Sequence, residues 1–175
     1  MRFYAFDWSL IGDTESGRPN LGGTMDVATY RLMQFTLRDV LEARLGREET
    51  DKIFYEAGKL AGRGFFENYI APVNSVEEFV SKTQQVLKEK LVGILRVEEA
   101  VLDQGRVVLT IDEDLDCSGL PELDYETCIY DEGFVAALFE SFTGTGWLAK
   151  EIDCWCTGAR TCRFLVTQQA SPESA

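Results

Sequence analysis

Histidine is absent from all 175 residues of this chain. That absence removes Ser-His-Asp and Cys-His nucleophile systems, imidazole general acid–base chemistry and histidine-containing metal sites together. Basic residues are also scarce, with 17 Lys and Arg against 30 Asp and Glu, for a net charge of −13. A field of that sign repels phosphate backbones and anionic lipid, so nucleic acid and membrane surfaces are not expected partners. No apolar run approaches the length of a bilayer-spanning helix. The opening MRFYAFDWSL has no apolar core and no small-residue cleavage site, which places the chain in the cytoplasm as an expectation. The five cysteines are an odd number, a poor match to a closed disulfide framework.

What is present is an ordinary globular balance, 45% apolar and 27% charged, long enough for one domain with its own core. Three segments are expected: an N-terminal arm or hairpin over 1–26, a ligand-binding domain over 27–167, and a disordered tail over 168–175. In the arm, FYAFDWSLIGD reads as a short strand before the Gly/Pro turn SGRPNLGG. From Val27 to Leu45, Tyr30, Met33, Leu37, Val40 and Leu41 recur at helical spacing, and Gly46 ends the run. A second helix starts near Thr50 and stops before Pro72, with Gly58 and Gly62 one turn apart to admit a close neighbour. Ser75 and Glu78 form a capping box for a third. GILRVEEAVL and VVLTI, joined across Gly105, read as a β-hairpin. A fourth helix is predicted over Thr127–Phe142, then a second hairpin from WLAKEIDCWC to TCRFLV. The fold class is therefore α+β, with N-terminal helices packed on an antiparallel sheet of two hairpins.

Chemistry concentrates in the last hairpin. Cys154, Gly158 and Cys162 are evenly spaced across its turn, Glu151 precedes Cys154 by three residues, and Cys128 opens the helix before it. Three thiolates and one carboxylate make a tetrahedral set that favours zinc. Such a set with Zn²⁺ leaves about −2, for which Lys150, Arg160 and Arg163 are the nearby offsets in sequence. In a regular strand Glu151 and Cys154 point to opposite faces, so a bulge near Ile152 and Asp153 is required. Buried inert thiols and a redox pair are the competing readings. Cys156 competes with Cys154 as ligand, and Cys117, in an acidic loop, reads as a bystander. Asp131 and Glu132, adjacent on the fourth helix, read as solvated or capping rather than as a dyad.

The stretch EIDCWCTGARTCRF (Glu151–Phe164), with Cys128 ahead of it and VATYRL upstream, resembles the 4-vinyl reductase domain across Val27–Val166. The resemblance implies a compact α+β fold related to the ligand-binding domains of vesicle-tethering subunits and haem–nitric-oxide sensors. It implies a small-molecule-binding, dimeric module and, as in aromatic-sensing bacterial activators, a zinc site beside an enclosed pocket. By that resemblance the zinc ligands are Cys128, Glu151, Cys154 and Cys162, which selects Cys154 over Cys156. Those sensors hold a phenol hydroxyl with a histidine, which this chain lacks. The expected function is a stand-alone zinc-containing binding or sensor module for an apolar or aromatic small molecule, working as a homodimer. Tyr130, Phe134 and Trp147 are the candidate pocket residues. A scaffold acting through its dimer surface, or a zinc or thiol enzyme, is the alternative. No dinucleotide fingerprint is present to supply hydride, so an enzyme is the less favoured reading.

Overall fold

Local capping decides the N-terminal region. The computed structural model describes residues 4–123 and 125–170, and they fall into two units, Met1–Arg47 and Glu48–Ala175. In the first unit the expected strand does not form. Asp7 accepts a hydrogen bond from the Ser9 N–H (2.9 Å) and starts a 3₁₀ turn over Trp8–Ile11. Asp13 caps a single helical turn, α1 (Thr14–Gly17), in the same way. A side-chain acceptor two or three residues before a free N–H competes directly with extended backbone, and here it wins twice. Helix α2 (Val27–Leu45) has Asp26 as its N-cap and ends at Gly46, whose φ of 80° suits glycine. Met33, Leu37 and Val40, expected to be buried, are exposed.

The second unit carries the sheet and the core. Helix α3 (Arg47–Phe65) continues into one π-helical turn over Phe66–Ile70. Helix α4 (Val76–Glu89) starts at Ser75, whose hydroxyl accepts from the Glu78 N–H at 3.1 Å. Strands β1 (Ile94–Val101) and β2 (Arg106–Asp112) pair antiparallel around Gly105, which takes φ 61°. Helix α5 (Ile129–Thr143) follows, then β3 (Trp147–Asp153) and β4 (Cys162–Gln168). The second hairpin docks on the first through β2 and β4, giving the order β1-β2-β4-β3. The fold class expected from the sequence is the one observed. Strand β4 runs to Gln168; of the tail expected over 168–175, residues 171–175 lie outside those described.

One sheet face makes the core. Val107, Leu109 and Ile111 of β2, Cys162, Phe164 and Val166 of β4, and Trp147, Ala149 and Glu151 of β3 are all buried at alternating positions. Helix α5 packs on this face, and its run Asp131–Phe139 is buried without interruption. Glycine lets α3 reach it. A methyl on Gly58 would overlap the Tyr130 carbonyl, and one on Gly133 would overlap the Tyr55 carbonyl, so each helix presents a glycine to the other's backbone.

Candidate functional site

Three elements converge at the end of the core face. Strand β4 contributes Cys162, opposite Ile111 of β2. Strand β3 contributes Glu151, opposite Phe164, and the pairing slips between Glu151 and Asp153. That slip is the irregularity the sequence spacing requires, and it turns Cys154 toward the side of Glu151 and Cys162. Beyond it, Thr157 Oγ1 accepts from the Cys154 N–H at 3.3 Å, holding the turn, and Gly158 takes φ 94°. Cys128 stands at the N-terminus of α5. Its sulfur lies 3.9 Å from Cys154 Sγ and 3.8 Å from Cys162 Sγ.

A fourth sulfur joins these three, and it comes from the cysteine expected to be a bystander. Cys117 Sγ is 3.0 Å from Cys162 Sγ, and the four sulfurs of Cys117, Cys128, Cys154 and Cys162 all lie within 4.8 Å of one another. All four cysteines are buried and free of disulfides. Cys156 is turned away, with its sulfur 3.3 Å from Thr127 Oγ1. Cys117 arrives through a tight turn after β2, where Asp114 Oδ1 accepts from the N–H groups of Asp116 and Cys117 at 2.8 and 3.0 Å. Nothing in the periodicity of an acidic loop announces this.

The charge environment is strongly acidic. Burial, then the charges on Cys162 and Cys154, push the Glu151 carboxyl up to about 11. Hydrogen bonds from Cys117, Cys128 and Cys162 hold the Cys154 thiol far below its usual range. The two Glu151 oxygens face the sulfurs of Cys162 and Cys128 but have no hydrogen bond of ordinary geometry. Asp114, Asp131 and Cys128 form a second close group. Burial and then Asp116 raise Asp114 to about 7, and the same two causes raise Asp131 well above the carboxylate range.

Asp131 and Glu132, expected at the surface, are both buried. Glu132 accepts from Lys150 Nζ at 2.8 Å and from the Glu151 N–H at 2.9 Å, so it braces β3 against α5. The cations expected to offset the cluster are engaged elsewhere. Lys150 pairs with Glu132, Arg163 pairs with Glu98 and Asp153, and Arg160 lies over the Trp155 ring. Four soft sulfur donors with a buried, unpartnered carboxylate are a donor set that fits a thiophilic divalent cation.

A separate cavity of about 240 Å³ opens between α4, α5 and the sheet. Phe79, Phe139, Phe142 and Trp147 wall it, with Val107 at its floor. Phe79 stacks on Phe142 with centroids 4.5 Å apart and meets Phe139 edge-on at 5.4 Å. Its polar groups are few: Thr143, whose hydroxyl accepts from Trp147 Nε1 at 2.8 Å, and Gln168. Of the candidate pocket residues, Trp147 lines this cavity. Phe134 packs instead edge-on to Phe65 at 5.2 Å, and Tyr130 lies against Gly58 on α3.

Comparison with known proteins agrees with this geometry. Residues 107–168 match the family model of the 4-vinyl reductase domain. The protein MJ0150 of Methanocaldococcus jannaschii is 28% identical over 146 residues, covering 83% of this chain and 78% of its own length. The crystal structure of the phenol-responsive sensory domain of the transcription activator PoxR, with phenol, superposes with a TM-score of 0.62 at 15% identity, over 82% of this chain and 75% of that one. A vinyl-4-reductase family protein from the same Methanocaldococcus species superposes at 0.61 with 14% identity, over 85% of each chain. The fold is shared more widely. A trafficking protein particle complex subunit 3 from Naegleria fowleri (10% identical, 83% of this chain, 98% of that one) and an H-NOX protein from S. oneidensis (14%, 78% and 74%) superpose at 0.59 and 0.53. No helix among the described residues is long and apolar enough to cross a membrane. The resemblance carried by the cysteine hairpin therefore holds, and the chain contains a 4-vinyl reductase domain over residues 107–168.

Proposed function

We propose that this chain is a zinc-containing module that binds a small, flat, apolar molecule between α4, α5 and the sheet. The observation that carries the reading is the cavity walled by Phe79, Phe139, Phe142 and Trp147. An apolar cavity of about 150 Å³ already accepts benzene, so about 240 Å³ suits one aromatic ring with a short substituent. Thr143 and Gln168 offer a hydroxyl and an amide in place of the histidine that the sequence lacks. The fold's presence in a phenol-responsive domain supports small-molecule binding by this chain.

Zinc in this reading is structural. Cys128, Cys154 and Cys162 supply three thiolates and a further buried donor completes the set, leaving no open position for catalysis. The metal ties the head of α5 to the second hairpin and so fixes the floor of the domain on which the cavity is built. Homodimerisation is part of the proposal, since Met33, Leu37 and Val40 of α2 are exposed apolar residues at helical spacing.

The test is a titration with phenol, indole and naphthalene followed by tryptophan fluorescence. Saturable quenching is expected in the full chain and its loss in Ala100→Trp, which plugs the exposed mouth of the cavity. Equal quenching by all three probes in both proteins would reject the cavity as the site.

A further inference from the structure

Five donors crowd a place with four tetrahedral positions. We propose that the fourth ligand is Cys117, so that the metal is held by Cys117, Cys128, Cys154 and Cys162, with Glu151 outside the coordination shell. This rests on the metal-binding reading above and narrows it to a four-sulfur site for a thiophilic divalent cation.

The distances carry the assignment. Zinc–sulfur bonds of about 2.3 Å place the sulfurs of a regular tetrahedron roughly 3.8 Å apart. Cys128–Cys154 at 3.9 Å and Cys128–Cys162 at 3.8 Å already have that length. Cys117–Cys162 at 3.0 Å is shorter, but far longer than the about 2.05 Å of a disulfide. A cation needs to widen that edge by less than about 1 Å. The four sulfurs form one group within 4.8 Å, and the Glu151 carboxylate stands outside it.

Cys117 is also held in place before any metal binds. Its N–H donates to Asp114 Oδ1, and its carbonyl accepts from the Leu120 N–H at 3.0 Å. The turn is fastened at both ends. The Leu115 N–H donates to the Val92 carbonyl at 2.9 Å, and Trp155 Nε1 donates to the Leu120 carbonyl at 3.0 Å. A fully buried sulfur on a fastened turn loses little conformational freedom on ligation. With Cys117 bound, the metal joins three segments rather than two: the turn after β2, the start of α5 and the β3–β4 hairpin.

The experiment is zinc-edge X-ray absorption on the full chain loaded with one zinc, which needs no variant. Four sulfurs at about 2.3 Å and no oxygen shell are expected; three sulfurs with one oxygen at about 2.0–2.2 Å overturn the assignment. Cobalt substitution gives the second readout. Cys117→Ser should lose roughly a quarter of the thiolate-to-cobalt absorption, one donor of four, while Glu151→Gln retains all of it. The opposite pattern overturns the proposal, as does a Cys117–Cys162 disulfide in the protein as purified. A chain that takes up no zinc rejects the metal reading itself, whereas one zinc on three sulfurs and Glu151 rejects only the role of Cys117.

Discussion

Helices α2 and α5 are both apolar enough to be core helices, yet they end in opposite states. Helix α5 reads IYDEGFVAALFESFT, apolar on every side over its middle, and it is buried from Asp131 to Phe139. Helix α2 spreads its apolar residues along one stripe, and Leu32, Met33, Leu37 and Val40 of it are exposed. A helix with no polar face has nowhere to sit but inside, whereas a striped helix needs a partner for its stripe. Burial of α5 then draws in whatever lies on its first turn, including Asp131 and Glu132, and that is how two carboxylates come to lie beside the cysteines.

The contrast can be broken most severely at the glycine contact. Gly133→Val should prevent α3 and α5 from approaching, since its Cβ meets the Tyr55 backbone, and a cost above about 4 kcal/mol is expected. Loss of a cooperative melting transition would register it. Next, Phe139→Ala removes a ring that contacts Phe79 and Trp147, and should cost about 3–5 kcal/mol in a urea titration. Metal comes third. Free zinc at about a hundred times its dissociation constant contributes about 2.7 kcal/mol, and at about 2–4 °C per kcal/mol chelation should lower the melting temperature by roughly 5–11 °C. An unchanged melt after complete zinc removal would show that the thiols hold the fold alone. The smallest effect belongs to α2. Met33→Ser with Leu37→Ser should stay within about 0.5 kcal/mol per site in the monomer, but convert a dimer to monomer by light scattering. A large stability loss there would mean that the α2 stripe is buried in solution.

Legibility in the sequence follows the range of the interactions. The cap at Ser75, the turn at Gly105 and the slip between Glu151 and Asp153 are readable because each is set within a few residues. The N-terminal strand fails for a reason equally local: Asp7 and Asp13 supply acceptors that start helical turns. Cys117 is not readable, because its place beside Cys162 depends on a turn 45 residues away in sequence. The burial of Asp131 and Glu132 has a signal that adjacency obscures. The apolar run FVAALF soon after them, with no polar side, already means that the whole turn is enclosed.

The slip between Glu151 and Asp153 has a consequence for transplantation. An acid and a thiol three residues apart share a side only because one residue of β3 has no counterpart on β4. Copying Glu151, Cys154 and Cys162 alone onto another hairpin would leave the first two back to back. The portable object is the whole hairpin from Glu151 to Phe164 with its miscount included, and deleting Ile152 from it should scatter the donors even though every one of them is still present.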